Sequence, residues 1–231
     1  MSPFLEVEGL TKFFVKKTVL KNLYLKIKKS EIYGVLGPNG AGKTTLIKCL
    51  VNLLVPDKGN IFFKGQPLEK FIHKYFGYLP ENFFPPAELS AFQFLKYLGL
   101  SLDISSEKIK NILTQLELDF HTKAKNYSRG MIQKLGLAQV LIKSPEFIIL
   151  DEPTLGLDPQ AQIKILDLLT TLNNEGKTIL FASHDLFHIE KKCKRISILD
   201  KGQIKYTGLV SQFLEKHNTF SLEEAYLKEL E

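Results

Sequence analysis

The sequence predicts an α/β fold with three parts: a core of alternating strands and helices, an antiparallel β layer and an inserted helical subdomain. Alternating apolar and polar side chains at 5–10 and 20–27 indicate two half-buried strands of an antiparallel layer. Continuous apolar runs at 32–36 and 147–150 are typical of strands buried on both faces. Over residues 81–143, strand patterns give way to helical periodicity, which predicts the inserted subdomain.

The other elements follow from the same periodicities and from turn residues between them. Further strands are predicted at 60–64, 76–80, 178–182, 196–199 and 203–206. Helices are predicted at about 46–53, 90–98, from 105 onward, and at 130–143, 159–174, 185–192 and 221–231. Ser105 is expected to cap its helix, and Pro159 suits the first turn of its own.

The length of 231 residues fits one domain that can bury a full core. We predict a core formed by about 1–80 and 144–231, with the helical subdomain at about 81–143. Because the first two predicted strands cover 5–10 and 20–27, residues 11–14 are assigned to the connection between them.

Composition places the chain among ordinary soluble proteins, with 44% hydrophobic and 24% charged residues. Cys49 and Cys193 form neither a disulfide framework nor a metal-ligand spacing, which favours a reducing, cytosolic setting. No apolar run reaches the roughly 18 residues of a membrane span, and the first residues lack a secretory signal. The net charge of +6 comes from lysines scattered between Lys12 and Lys228. We therefore expect a solvated basic exterior and no nucleic-acid partner, with weak support for a place near a membrane.

A glycine-rich motif lies between the predicted strand 32–36 and the helix that follows it. Its residues satisfy G-x-x-x-x-G-K-[ST] and are Gly37, Pro38, Asn39, Gly40, Ala41, Gly42, Lys43, Thr44 and Thr45. Glycines let backbone N–H groups turn inward, and the helix N-terminus adds its positive dipole. Lys43 is expected to reach the β- and γ-phosphates, and Thr44 to hold Mg²⁺. The motif predicts a phosphate-loop NTPase core that binds a nucleoside triphosphate; the alternative is a glycine-rich turn that binds nothing.

A second candidate site follows the buried strand 147–150, where Asp151 and Glu152 stand in succession. Open α/β sheets place ligand chemistry at the carboxyl ends of their strands. Asp151 is the candidate to support Mg²⁺, and Glu152 to accept a proton from a water attacking the γ-phosphate. The alternative is a solvated strand end followed by a turn.

Together these motifs resemble the ATP-binding cassette (ABC) ATPases, the motor subunits of ABC transporters, over essentially the whole length. Six elements occur in the family's order: the phosphate loop 37–45, the switch loop 78–81, the signature 127–131, the acidic strand end 151–152, the D-loop 155–158 and the switch histidine in 183–185. By this resemblance, Phe14 stacks on adenine and His184 contacts the γ-phosphate and orients water. Asp158 of the D-loop also belongs to the nucleotide site.

The signature implies a second subunit. By resemblance, Ser128 and Gly130 address a phosphate of ATP held by the phosphate loop of another copy, so two subunits close head to tail around two ATP molecules. The sequence departs from the usual Leu-Ser-Gly-Gly-Gln at Arg129 and Met131. Glu81, assigned to Mg²⁺ or a bound water, stands where many members carry glutamine. These departures resemble the ABC-2 type exporter ATPases.

Two further patterns have alternative interpretations. His184 and His188, with Asp185 between them, could be a relative of the H-E-x-x-H zinc motif, although the acid differs and no third ligand is evident. The aromatics Phe83, Phe84, Phe92 and Phe94 are individually typical of a core. By resemblance, a groove here receives a short helix of a membrane subunit, and we predict that Phe83 or Phe84 lines it.

The sequence thus predicts an ATP-hydrolysing subunit of an ABC transporter, an exporter, on the cytoplasmic face of a membrane. Its expected partners are an integral membrane permease and a second ATPase subunit, identical or paralogous. The alternative is a soluble ABC ATPase that remodels a protein scaffold or a nucleic-acid assembly. A nucleotide-binding module without turnover would not need both Glu152 and His184.

Overall fold

A computed structural model describes residues 3–15, 17–68 and 74–230 of the chain. The strands are β1 (Leu5–Phe14), β2 (Lys17–Ile27), β3 (Ile32–Leu36), β4 (Lys58–Phe63), β5 (Gln66–Pro67), β6 (Phe76–Leu79), β7 (Phe147–Asp151), β8 (Thr178–Ser183), β9 (Arg195–Asp200) and β10 (Gln203–Leu209). The α-helices are α1 (Lys43–Leu50), α2 (Ala91–Leu100), α3 (Ser106–Gln115), α4 (Arg129–Leu141), α5 (Pro159–Asn174), α6 (Leu186–Lys192), α7 (Val210–Lys216) and α8 (Leu222–Leu230).

The first sheet is the predicted antiparallel layer, with strand order β2-β1-β4-β5. β1 pairs with β2 so that Leu5 lies opposite Ile27 and Val7 opposite Leu25. These apolar side chains are buried, as the alternating pattern predicts. The interpretation of residues 11–14 as a connection is wrong, because β1 continues through Phe14 with three register shifts that absorb its irregular pattern.

The second sheet has the order β10-β9-β3-β8-β7-β6, and it is parallel except at its β10 edge. Every residue of β3, β7 and β8 is buried, in agreement with their continuous apolar sequences. Leu36 pairs with Ser183, and Asp151 with Ala182. The carboxyl ends of these three strands therefore lie side by side at one edge of the sheet.

Three helices, α2, α3 and α4, lie between β6 and β7 in the chain, within the segment predicted to be helical. Ser90 caps α2 in a reciprocal capping box with Gln93, and Ser105 caps α3 by accepting a hydrogen bond from the N–H of Lys108. Their buried side chains join one apolar cluster with residues of β3, β7 and β8. This shared cluster fixes the helices against the sheet, whereas the domain boundaries at 81 and 143 stay a prediction.

The helix α7 was not predicted from the sequence. It has only 7 residues, begins directly after β10, and has Leu209 at its N-cap without a side-chain hydrogen bond. A short helix without a cap signal gives no periodicity that distinguishes it from the end of a strand. It is fixed by tertiary packing instead, because Phe213 is fully buried and its ring centroid lies 4.5 Å from that of Tyr206.

Among the described residues, no helix combines the length and the apolar character needed to cross a membrane.

Both cysteines are buried free thiols, Cys49 in α1 and Cys193 after α6. Burial raises the pKa of Cys49 to about 11 and also raises the pKa of Cys193. Since the thiolate is the reactive form, we expect both thiols in the folded protein to react with Ellman's reagent at pH 8 at least about 100-fold more slowly than in denaturant. Absorbance followed over time in native buffer and in denaturant measures the two reaction rates. Fast reaction of either thiol in the folded protein would contradict the described burial.

Candidate functional site

The glycine-rich loop connects the end of β3 to the start of α1 and leaves the helix N-terminus open. Gly42, at the N-cap, has φ 111°, a conformation that side-chain-bearing residues rarely adopt. A Cβ at Gly37 would collide with the carbonyl oxygen of Leu199. The loop therefore needs glycine at both positions, and the first N–H groups of α1 face the space beside it.

Lys43, the first residue of α1, lies almost buried within this loop, with 7% of its side chain exposed. Its Nζ donates a hydrogen bond of 2.7 Å to the carbonyl oxygen of Gly37. The same Nζ lies 3.2 Å from Oε1 of Glu152. The cation of the phosphate loop is thus paired with the acidic residue that follows β7.

Thr44 and Asp151 meet at the other side of the loop. The Thr44 hydroxyl donates a 2.6 Å hydrogen bond to Oδ2 of Asp151, whose side chain is fully buried. Burial raises the pKa of Asp151, and the charges of Glu152 and Glu81 act in the same direction against the Thr44 hydrogen bond. Oδ1 of Asp151 is buried without a hydrogen-bond partner among the described residues. A hydroxyl and a carboxylate with a free buried oxygen are a donor set that suits Mg²⁺.

Glu152 is the point at which three segments converge. Oε1 lies 3.0 Å from Nδ1 of His184, and Oε2 accepts a hydrogen bond of 3.1 Å from the hydroxyl of Ser183. Its backbone is in the left-handed region, with φ 50°, a strained state for a residue other than glycine. Glu152 is only 6% exposed, so its carboxylate is aimed at the loop rather than into solvent.

These side chains line one pocket of about 470 Å³, a size suited to a small-molecule ligand. The predicted residues that line it are Pro38, Asn39, Gly40, Gly42, Lys43, Thr44, Thr45, Glu81, Asp151, Glu152 and His184. The structure adds Lys17 and Val19, which sequence reasoning missed, and Leu155, which the sequence placed in the D-loop without a ligand role. Lys17 and Val19 belong to β2, and no motif marks them, so only the fold brings them to the phosphate loop.

Six predicted ligand residues do not line this pocket, among them Gly37 and Ala41 of the glycine-rich loop itself. Ser128 caps α4 by accepting a hydrogen bond from the N–H of Met131, and Gly130 follows in the first turn. Asp158 caps α5 by accepting a 2.9 Å hydrogen bond from the N–H of Ala161. Phe14 is 42% exposed at the end of β1. Within one chain, the signature and the phosphate loop therefore belong to separate surfaces.

The signature and the D-loop are nevertheless in contact with each other. The guanidinium group of Arg129 lies directly against Gly156, where a Cβ would collide with it. Gly156 has φ 68°, so the D-loop uses glycine both for its backbone conformation and for this close approach.

The zinc interpretation of the two histidines finds no support in this geometry. His184 contacts Glu152, whereas Nδ1 of His188 lies 3.1 Å from Asp185 and 3.2 Å from the Thr154 hydroxyl. In the part of the chain that the structure describes, no group of three or more His, Cys, Asp or Glu side chains could hold a metal ion.

A second pocket, of about 340 Å³, lies between the switch loop and α4. Phe83 and Phe84 both line it, as do Arg129 and Ile132 of α4. Phe84 is 84% exposed, whereas Phe83 packs inward, with its ring centroid 6.1 Å from that of Phe94. The interpretation as core is therefore confirmed for Phe94, and Phe84 presents an apolar ring to solvent beside the groove.

A phosphate loop at the end of a buried parallel strand, next to an acidic strand end, defines a phosphate-loop nucleotide-binding protein. Within that class, a family model described as "ABC transporter" matches residues 20–155. The chain belongs to this family and is an ATPase subunit of it.

The chain is similar to other ABC ATP-binding proteins in sequence. It is 37% identical over 224 residues to an uncharacterized ABC transporter ATP-binding protein of a Nostoc species, covering 92% of this chain and 67% of that one. It is 35% identical over 204 residues to the lantibiotic transport ATP-binding protein SrtF of Streptococcus pyogenes, covering 87% of this chain and 88% of that protein.

Solved structures agree with the fold. An ATP-binding subunit of an ABC transporter superposes with a TM-score of 0.88 at 27% identity, covering 99% of this chain and 100% of that chain. A dimeric ATP-binding cassette in a post-hydrolysis state, bound to ADP and phosphate, superposes with a TM-score of 0.81 at 25% identity, covering 89% and 98%. The predicted fold class, a phosphate-loop core with an antiparallel layer and inserted helices, is confirmed.

Proposed function

We propose that this ABC ATPase hydrolyses ATP in the 470 Å³ pocket, as one of two ATPase subunits that drive a membrane permease in the direction of export. The observation that carries the proposal is the position of Glu152, which contacts both Lys43 of the phosphate loop and His184. A carboxylate there can accept a proton from a water next to the terminal phosphate, and His184 can orient that water.

The remaining site residues are assigned to binding. The N–H groups of the loop and Lys43 hold the phosphates, and Phe14 stacks on the base. Thr44 and Asp151 would hold Mg²⁺ directly or through water, with Glu81 at the rim of the pocket. When bound, Mg²⁺ supplies positive charge to the phosphate oxygens.

Dimer formation is proposed from the separation of the two surfaces. Ser128 and Gly130 begin a helix whose N-terminus can address a phosphate, yet they lie outside this chain's own pocket. A second subunit placed head to tail would bring its signature to this nucleotide, and Asp158 would lie at the same contact. The dimeric cassette among the structural neighbours supports this arrangement.

The partner and the location are proposed from the family. A subunit of an ABC transporter acts on a permease at the cytoplasmic face of a membrane, and the helices between 81 and 143 form the subdomain that moves with it. Glu81 and the variant signature at 127–131 support export, and so does the similarity to a lantibiotic transport protein. The family relatives favour this function over a soluble remodelling ATPase.

The test is a pull-down of tagged Glu152→Gln protein from its own cells, in mild detergent with ATP, followed by mass spectrometry. A multi-spanning membrane protein in stoichiometric amount is the expected result. Recovery of only soluble scaffold proteins, ribosomes or DNA would contradict the transporter function.

The same experiment tests the groove. Adding Phe84→Asp places a charge on its exposed aromatic rim, so we expect recovery of the membrane protein to fall at least about fivefold, because a charge in an apolar contact costs more than about 1 kcal/mol. Phe220→Asp is the matched control, since Phe220 is fully exposed and does not line this groove. Equal recovery with Phe84→Asp and Phe220→Asp would exclude the groove as the docking site.

A further inference from the structure

A closed circuit of hydrogen bonds joins the turn after β7 to the turn after β8. The hydroxyl of Ser183 donates to Glu152 at 3.1 Å and accepts from the N–H of Asp185 at 3.0 Å. Asp185 accepts a hydrogen bond of 3.1 Å from the N–H of His188 and lies 3.1 Å from its Nδ1. The same Nδ1 lies 3.2 Å from the hydroxyl of Thr154, two residues after Glu152.

His188 lies in α6, outside both turns, and its side chain contacts Thr154 of the first turn and Asp185 of the second. It lies in the first turn of α6 and is 5% exposed, and Thr154 is 3% exposed. Burial lowers the pKa of His188, against the opposing effect of the Asp185 carboxylate. Nδ1 is the ring nitrogen that faces both partners, at 3.1 Å from Oδ2 of Asp185 and 3.2 Å from the Thr154 hydroxyl.

Thr154 also directly precedes the D-loop. Its carbonyl oxygen accepts hydrogen bonds of 3.3 Å from the N–H of Leu157 and 3.4 Å from the side chain of Gln162 in α5. A displacement of Thr154 therefore moves the D-loop together with the strained backbone of Glu152. His188 connects this segment to the turn that carries His184.

We propose that His188 is a positioning residue for ATP hydrolysis, which holds the Glu152 turn, the D-loop and the His184 turn in one arrangement. The inference rests on the roles proposed above for Glu152 and His184. Sequence analysis gave His188 only as half of a zinc motif, and the structure gives it a different role. His188 does not itself line the pocket, so it acts through the residues it holds.

The test compares His188→Leu with His188→Asn. Leucine removes the ring nitrogens, whereas the amide of asparagine places a polar group close to the position of Nδ1. With His188→Leu we expect kcat to fall about three- to tenfold, the effect of one buried hydrogen bond, with an unchanged dissociation constant for fluorescent ATP. His188→Asn is expected to restore most of kcat. A role in packing alone predicts the opposite order, because leucine fills apolar space better than asparagine.

Thr154→Val keeps the shape of the side chain and removes only the hydroxyl, so it carries the test if His188→Leu does not fold. It should lower kcat by a similar factor, and the double variant should be no slower than the slower single variant. Fully additive effects, or a parent kcat in both single variants, would overturn the inference.

Two controls separate this inference from the proposed function. His217→Leu alters a half-buried histidine that pairs with Glu229 at the end of α7, away from the pocket, and should leave kcat unchanged. Glu152→Gln must abolish hydrolysis if the proposed function is right. Loss of hydrolysis in Glu152→Gln together with parent kcat in His188→Leu refutes only the role of His188, whereas full activity in Glu152→Gln refutes the site itself.

Discussion

Glu152→Gln is expected to lower steady-state ATP hydrolysis by at least about 100-fold while ATP binding persists, which is the effect of removing a general base. Glutamine has nearly the same shape and keeps an oxygen that accepts from Ser183, but it cannot take a proton from water. Removing the carboxylate also releases Lys43 from its ion pair. We therefore expect ATP affinity to be equal or higher, and the variant to accumulate as an ATP-bound dimer. Phosphate release, fluorescent-ATP binding and size-exclusion chromatography measure the three effects.

The matched control for this substitution is Glu146→Gln. Glu146 lies just before β7 and forms an exposed ion pair with Lys64, so the same chemical change there should leave hydrolysis within about twofold of the parent. Hydrolysis at the parent rate by Glu152→Gln would show that the base is another residue.

Lys43→Met is expected to weaken ATP binding by about 100-fold, the range for losing charge-assisted hydrogen bonds to phosphate. The methionine chain fills the space of the lysine stem but has no cation to offer. The variant should also unfold at a lower temperature, because Glu152 loses a cation at 3.2 Å in a site where both side chains are less than 10% exposed. Titration with fluorescent ATP and thermal unfolding measure the two effects separately.

Lys48→Met is the control for this loss. Lys48 lies on the same helix α1, but its side chain is exposed in the last turn. Both ATP affinity and unfolding temperature should stay close to those of the parent. If Lys43→Met bound ATP as the parent does, the loop would not be the phosphate site.

The centre of the site could be predicted because its residues have fixed spacing and lie at strand ends. The glycines of 37–42 identify a turn after a buried strand, and Asp151 and Glu152 follow an apolar run that is typical of a buried strand. Parallel pairing of β3, β8 and β7 then brings both segments together. Local sequence and sheet topology sufficed here, and the structure confirms this juxtaposition.

The rest depended on contacts between distant parts of the chain. Alternation in β2 shows which side chains are buried, but not that Lys17 and Val19 line the pocket. His188 and Thr154 are 34 residues apart, and nothing in either segment indicates their hydrogen bond. The roles of Phe14 and of the signature residues stay predictions, because Phe14 acts only on a bound nucleotide and the signature only in a dimer.

The ion pair between Lys43 and Glu152 has a consequence for how the phosphate loop binds an anion. Lys43 already has an internal anion, because its ammonium group is paired with Glu152, the residue proposed as the general base. Binding of ATP is then an anion exchange, in which a phosphate displaces a carboxylate from the same ammonium group. A weak ligand such as free phosphate competes poorly with a tethered carboxylate. ATP competes better, because its adenine ring and its other phosphates make further contacts with the protein. In the proposed mechanism, the same exchange releases Glu152 from Lys43 at the moment when a phosphate takes its place, so the carboxylate becomes able to accept a proton from water only beside bound substrate.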